Sequence, residues 1–279
     1  MLFTPGLSDF GFSVDNWGAD ASTSVGTSVV PGATNAEGAW TQVLTALAQD
    51  VFFSTLVIHS GTTSTAAKNH LLDIGVDPAG GTSYTAVVSN FTCGASALTS
   101  GGARHLVVPL FIKAGSTVAV RVQGSNATAG TMRVGIKAYG QPSRPELLLG
   151  CSYSETIGTI TNSNGTSFTP GNAADGAYVS LGTIVKPAKW VQLGCQIDNA
   201  AMSAHHTYID LAVGDASNKR VLIRTHIQMT TVEAITEVIP GNLGWCAVDL
   251  PAGAELWIRG RNNNAPVTGY NGVAVIFGG

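Results

Sequence analysis

Short runs in which apolar and polar residues alternate recur along almost the whole chain, as in residues 118–122 and 256–259. Such alternation places successive side chains on opposite faces of a β-strand. Clusters of turn-forming residues separate the runs, as in the Asp-Pro-Ala-Gly-Gly segment at 77–81 and the Asn-rich segment at 262–266. The pattern predicts an all-β protein built from many short antiparallel strands.

The same order of apolar and polar blocks occurs twice, at offsets of 137 to 139 residues. The matched pairs of blocks are 26–32 with 165–171, 37–40 with 175–178, 72–76 with 209–213, 112–121 with 250–259, and 134–140 with 272–278. A period this long exceeds that of solenoids and propeller blades, so each copy can hold its own core. The sequence therefore predicts an internal duplication.

The repeat divides the chain into four parts. We predict an N-terminal arm at 1–25, a first β-sandwich at 26–140, a linker at 141–164 and a second β-sandwich at 165–279. Seven or eight strand-like segments per copy suit either a jelly roll or an immunoglobulin-like fold. We favour two tandem antiparallel jelly-roll-like sandwiches, because neither copy has the Cys, Trp, Cys arrangement of immunoglobulin domains.

Matched positions sharpen several local predictions. Residues 39–48 could form an amphipathic helix, but their counterpart at 177–187 is rich in β-branched residues and ends in proline, so both are predicted to be strands. Asp73 and Asp210 are matched and are predicted to face solvent from separate domains. Trp40 matches Tyr178, which predicts an ordinary core position.

Composition limits the classes of function. Charged residues make up 11% of the chain, the net charge is −3 and the pI is near 6.0. The chain has no basic field to attract nucleic acid, so no nucleic-acid partner is expected. No segment has the length of a membrane span and no signal peptide is evident, so no membrane partner is expected either.

The four cysteines are far apart, with no Cys-x-x-Cys pair. This spacing argues against a zinc site and favours buried free thiols, with one disulfide left open. Adjacent histidines at 205 and 206 would point to opposite faces of a strand and are a poor metal site. We predict no metal and no cofactor.

No phosphate loop, dinucleotide fingerprint, hydrolase elbow or zincin motif occurs in the chain. With no catalytic residue indicated, the sequence predicts a protein that is not an enzyme. The five tryptophans leave open a sugar-stacking surface, and a glycan depolymerase is a further alternative.

The segments 190–194 and 208–214, together with the Ala-Gly-x-x-apolar-x-apolar-Arg block ending at Arg121 and Arg259, resemble a repeated β unit of tailed-bacteriophage virion proteins. The resemblance implies a structural protein of a phage particle, a capsid decoration or head-surface protein, with a tail or fibre component that binds a host polysaccharide as the alternative. It also implies assembly with major capsid or tail proteins, a homo-oligomer such as a trimer, and a virion location after assembly in the host cytoplasm.

The arm before the first copy contains four aromatic residues outside the duplicated unit. Aromatic arms of this kind often become ordered on contact with a partner. The residues predicted to make assembly contacts are Phe3, Phe10, Phe12 and Trp17.

Overall fold

The computed structural model describes residues 13–16, 26–60, 70–93, 104–125, 131–140, 150–158, 165–197, 205–229, 245–263 and 269–279. Within these ranges the chain forms strands and turns and contains no helix, so the predicted all-β class is confirmed. The described part therefore contains no helix that could cross a membrane.

The first sandwich contains nine strands in two facing sheets. These strands are β1 (Ser13–Asn16), β2 (Thr27–Val29), β3 (Thr41–Leu44), β4 (Phe53–Ser60), β5 (His70–Asp77), β6 (Thr85–Thr92), β7 (Arg104–Val108), β8 (Thr117–Gly124) and β9 (Met132–Tyr139). One sheet has the order β1-β9-β4-β7, with β2 also paired to β9, and the other has the order β3-β8-β5-β6. The first sheet thus has five strands and the second has four, and two facing sheets with this strand order form a jelly roll.

The second sandwich contains ten strands. They are β10 (Tyr153–Ile157), β11 (Thr166–Phe168), β12 (Gly171–Asn172), β13 (Val179–Thr183), β14 (Ala188–Ile197), β15 (His205–Gly214), β16 (Lys219–Met229), β17 (Trp245–Leu250), β18 (Glu255–Asn262) and β19 (Tyr270–Gly278). One sheet has the order β10-β19-β14-β17, with β11 also on β19. In the other, β18-β15-β16 are neighbours, and β12 and β13 both pair with β18.

The two sandwiches share one topology, in which β1 corresponds to β10, β4 to β14, β8 to β18 and β9 to β19. The strand predicted within 39–48 is confirmed as Thr41–Leu44. Two strands lie in segments predicted to be connections, since β1 belongs to the predicted arm and β10 to the predicted linker. Their pairing with β9 and β19 supplies the edge strand of each sandwich. A common origin by duplication stays a prediction from the sequence.

Each sandwich has its own apolar core. The first is formed by side chains such as Leu56, Ile74 and Val120, and the second by side chains such as Leu193, Ile209 and Ile258. Val275 and Phe277 of β19, however, are buried in the cluster of the first sandwich. Removing large apolar side chains from water in this way is the main stabilising contribution to folding and also holds the two units together.

The sandwiches are also joined by direct polar contacts between β6 and β10. The hydroxyl of Ser154 donates to the carbonyl of Val87, and the hydroxyl of Thr156 donates to the carbonyl of Ser89. Gly194 of β14 leaves room for the Thr92 side chain, which a Cβ atom at this position would strike. The two units therefore pack side by side.

All four cysteines are free. Cys93, Cys151 and Cys195 are buried and Cys246 is half-buried, which confirms the prediction of buried thiols for three of the four. Burial raises the pKa of the Cys151, Cys195 and Cys246 thiols, because desolvation disfavours the thiolate.

Candidate functional site

The outer face of the β18-β15-β16 sheet carries rows of polar and aromatic side chains that run across three strands. In one row Arg261, Tyr208 and His226 lie opposite one another. In the next row Arg259 and Arg224 flank Asp210. The rows arise because every second residue of a strand shares a face, while alternate residues such as Ile209 and Ile258 point into the core.

Asp210 is the centre of an ion-pair network. It accepts hydrogen bonds from Arg224 Nε to Oδ1 at 2.6 Å, from Arg224 Nη2 to Oδ2 at 2.7 Å and from Arg259 Nε to Oδ2 at 3.0 Å. Arg259 Nη2 lies 2.7 Å from Oδ2 of Asp175, which precedes β13. The Asp210 side chain is only 5% exposed, whereas that of Arg224 is 56% exposed. The network therefore has a buried acceptor and a solvent-facing donor.

Burial alone would raise the pKa of the Asp210 carboxyl. The hydrogen bonds and positive charges of Arg224 and Arg259 outweigh burial, so the pKa lies below its ordinary value and the group is charged at neutral pH. The same contacts raise the pKa of Arg224, since its hydrogen bonds to Asp210 favour the charged guanidinium. Both partners are thus held in their charged forms.

Aromatic rings support the cationic side chains of this face. The guanidinium of Arg259 lies 4.4 Å from the centre of the Tyr178 ring, and Lys219 Nζ lies 4.2 Å from the centre of a Trp257 ring. Trp257 Nε1 donates a hydrogen bond to the carbonyl of Gly214. The contact with Tyr178 orients the guanidinium of Arg259 and leaves its edge available to the carboxylates.

A surface pocket of about 210 Å³ opens above the network. It is lined by Asp175, Tyr208, Asp210, Arg224, Arg259, Gly260 and Arg261. Tyr208 is 49% exposed and Arg261 is also exposed. The pocket thus combines an accessible aromatic ring with carboxylates and guanidinium groups, which suits a small polar ligand.

Two histidines lie at the margin of the same face. Nδ1 of His206 is 3.0 Å from Nε2 of His226, and the two rings are stacked with their centres 5.1 Å apart. Tyr208 packs beside His226, at 5.0 Å between ring centres. A hydrogen bond between two imidazoles requires one unprotonated nitrogen as acceptor. His206 thus contacts His226 of the neighbouring strand β16.

The first sandwich has a counterpart to the ion-pair network. Arg121 Nε donates to Oδ2 of Asp73 at 2.9 Å, and Arg121 Nη1 lies 2.5 Å from Oε2 of Glu37. The Arg121 guanidinium lies 4.4 Å from the centre of a Trp40 ring. Each of these residues matches one of the second sandwich in sequence, so two acids, an arginine and an aromatic ring meet at equivalent positions in both units.

The two networks differ where the second has its pocket. Oδ1 of Asp73 accepts a hydrogen bond from the backbone N–H of Asn90 at 2.7 Å. The corresponding oxygen of Asp210 accepts from the side chain of Arg224 instead. In the next row, Leu71 and Gln123 take the places of Tyr208 and Arg261. Leu71 is buried, so the first sandwich presents no accessible ring there.

Several predicted positions need correction. Asp73 and Asp210 were expected to face solvent, but they are 3% and 4% exposed because arginine side chains cover them. Trp40 and Tyr178 were expected in the core, but they are half-buried and stack on Arg121 and Arg259. Residues of the outer face of a strand can be covered by long neighbours without belonging to the core.

The four predicted assembly residues, Phe3, Phe10, Phe12 and Trp17, lie outside the described residues. Among the residues that the structure describes, no group of three His, Cys, Asp or Glu side chains is arranged to hold a metal ion.

Comparison with known proteins gives no family for the chain. No family model matches it, and no curated protein matches it. Among solved structures, similar chains include a peptide-N(4)-(N-acetyl-beta-D-glucosaminyl) asparagine amidase, with 10% identity, a TM-score of 0.37 and coverage of 96% of each chain.

Two other similar structures come from different classes. The tandem CBM22-1-CBM22-2 domain of Paenibacillus barcinonensis Xyn10C has 11% identity and a TM-score of 0.27, with 96% of this chain and 91% of that chain covered. A chain of the T13 IBDV viral particle has 12% identity and a TM-score of 0.27, with 95% of this chain covered but only 65% of that chain.

The expectation that the chain is not an enzyme is contradicted by these comparisons, since an amidase is among the similar structures. The expectation rested on missing sequence motifs, and an active site assembled across strands need not leave one. At these TM-scores the likenesses assign no activity, ligand or partner to this chain.

Proposed function

We propose that the chain is a structural protein on the surface of a bacteriophage virion, most simply a capsid decoration or head-surface protein. The observation that carries the proposal is the strand order of a jelly roll in both sandwiches, packed side by side in one chain. Jelly rolls recur in viral capsid and lectin domains. The resemblance of the repeated β unit to tailed-phage virion proteins supports the same role.

The surface and core suit a protein that works outside a cell. Only 11% of the residues are charged, and two apolar clusters and a contact between the sandwiches hold the fold without a disulfide. Stability of this kind does not depend on the redox state of the surroundings. A trimer would present six similar jelly rolls to a capsid or tail protein.

The test is location on the particle. Purified virions should contain a polypeptide of 28.6 kDa that gold-labelled antibodies place on the head. Labelling of the tail would favour a fibre component, and absence of the polypeptide from purified virions would overturn the proposal. Light scattering should show a trimer, whereas a stable monomer would contradict the proposed oligomer.

A second candidate is recognition of a host surface polysaccharide by a tail or fibre component. The observation that favours it is the pocket beside Tyr208, which combines an exposed ring with the carboxylates and guanidinium groups of the Asp210 network. Sugars stack their apolar faces on aromatic rings and pair their hydroxyls with such groups. Binding of the purified protein to host polysaccharide or to a glycan array tests this role, and no binding to either would contradict it.

A further inference from the structure

The pocket of the second sandwich contains more positive than negative charge. Its carboxylates are Asp175 and Asp210, and its guanidinium groups are those of Arg224, Arg259 and Arg261. Asp210 binds both Arg224 and Arg259, and Asp175 binds Arg259. Arg261 has no carboxylate within salt-bridge distance among the described residues, so one positive charge in the pocket has no balancing partner there.

Arg261 is placed beside the exposed ring of the pocket. It lies directly opposite Tyr208 in the pairing of β18 with β15, so the two side chains project from the same face as neighbours. Both are exposed, while the network of Asp210 forms the adjoining row. A ligand seated on the Tyr208 ring would reach Arg261 on one side and the buried carboxylate network on the other.

The first sandwich shows that this pairing is not required by the fold. Where the second has Tyr208 and Arg261, the first has Leu71 and Gln123, although both keep the acid, arginine and aromatic side chain of the neighbouring row. The acid, arginine and aromatic side chain are present in both sandwiches, so we assign a structural role to them and not to Tyr208 and Arg261. Among the described residues, the matching row of the first sandwich therefore contains neither an arginine nor an aromatic ring.

We propose that this pocket binds a carboxylate-bearing sugar, a uronic acid residue of an acidic polysaccharide, with the carboxylate on Arg261 and the sugar ring on Tyr208. The inference rests on the second candidate function and names its ligand class. Arginine forms paired, charge-assisted hydrogen bonds with carboxylates, and a tyrosine ring packs against the C–H face of a pyranose. Pockets that hold drug-sized ligands have volumes of roughly 300 Å³ or more. The volume of about 210 Å³ is smaller and suits a single sugar unit.

The test compares tetramers of galacturonate, glucuronate and mannuronate with the same tetramers methyl-esterified at their carboxyls. The ester keeps the ring and removes the charge. Calorimetric titration of the full chain should show at least one acid binding about tenfold more tightly than its ester, a margin expected for a charge-assisted hydrogen bond. Added salt should reduce this preference.

Three variants assign the preference to the site. Arg261→Gln should remove the preference for the acid, and Tyr208→Ala should weaken acid and ester alike because stacking does not depend on charge. Arg220→Gln changes an exposed arginine of β16 that does not line the pocket, so it should leave both affinities unchanged.

Three other outcomes would each contradict a different part of the proposal. Equal binding of acid and ester would overturn the acidic ligand but leave glycan recognition standing. A preference that survives Arg261→Gln would overturn the site. If no tetramer binds, the acidic-sugar proposal fails, while the second candidate function is judged by binding to host polysaccharide and the virion role by location on the particle.

Discussion

Arg259 and Asp210 lie opposite each other on β18 and β15 and are joined by a hydrogen bond of 3.0 Å from Nε to Oδ2. Arg121 and Asp73 occupy the same relationship on β8 and β5, at 2.9 Å. In both sandwiches the guanidinium also packs on an aromatic ring and a second acid. The pair is therefore a common structural element, upon which the second sandwich adds a pocket.

The Asp210 network should make stability depend on acid pH. Because the folded-state pKa of Asp210 lies below the ordinary value, its contribution is present above the unfolded-state pKa of about 3.9 and is lost as pH falls through the folded-state pKa. Asp210→Asn should lower the free energy of unfolding at pH 7 by about 2 kcal/mol, since two guanidinium groups lose their acceptor. Urea unfolding at a series of pH values measures the difference, which should shrink below about pH 4.

The control for this measurement is Arg220→Gln, which removes a charge from β16 outside the network. Its unfolding free energy should follow that of the original chain at every pH. If Asp210→Asn lowers the free energy of unfolding by the same amount at pH 3 and at pH 7, the network makes no ionic contribution to stability.

The match between the two sandwiches can be tested at Gly75. A Cβ atom there would lie 2.7 Å from the Trp40 ring, which is closer than such atoms pack, and the corresponding residues of the second sandwich are Ala212 and Tyr178. Gly75→Ala should destabilise the chain by about 2 kcal/mol through overpacking. Combining it with Trp40→Tyr copies the second sandwich and should recover part of that loss, as a double-mutant cycle by urea unfolding would show.

Trp40→Tyr alone is the control, because it removes the larger ring without adding a Cβ atom. If the effects of the two substitutions simply add, the two positions are not coupled and the proposed correspondence of their packing fails.

The alternation and the repeat were sufficient to predict strands, two sandwiches and the jelly roll, because one buried face per sheet leaves a period of two in the sequence. They also identified Asp73, Arg121 and their matches Asp210 and Arg259 as equivalent positions. They did not bring these residues together, since the contact depends on the register between strands that are far apart in sequence. For this reason the sequence predicted that Asp210 faces solvent, although it is buried in the structure.

The pocket was missed for a related reason. Tyr208 and Arg261 are 53 residues apart in sequence and become neighbours only through the pairing of β15 with β18. A signal was present in the repeat, because the rows differ between copies at Leu71 and Gln123 while the neighbouring acid and arginine are retained. Differences between matched copies indicate where one unit departs from the shared structure.

The contact between the sandwiches should contribute measurably to stability. Ser154→Ala with Thr156→Ala removes the hydroxyls that donate to the carbonyls of Val87 and Ser89. At about 1 kcal/mol for each hydrogen bond, the double variant should lose roughly 2 kcal/mol of unfolding free energy. Thermal unfolding followed by calorimetry measures the loss and shows whether the two sandwiches then melt in separate steps.

Thr183→Ala removes an exposed hydroxyl of β13 and serves as the control. A double variant that melts no earlier than this control would show that the two hydroxyls contribute nothing to the packing of the sandwiches.

The cysteines should react slowly in the folded chain. The thiolate is the reactive form, and burial raises the pKa of Cys151, Cys195 and Cys246, so little thiolate is present at pH 8. Titration with a thiol-specific disulfide reagent should show one slow reaction, at the half-buried Cys246, and further thiols only after unfolding. Cys246→Ser should abolish the reaction of the folded chain without changing that of the other cysteines. All four thiols should react in denaturant without reductant, and a total of two would instead reveal a disulfide that the structure does not contain.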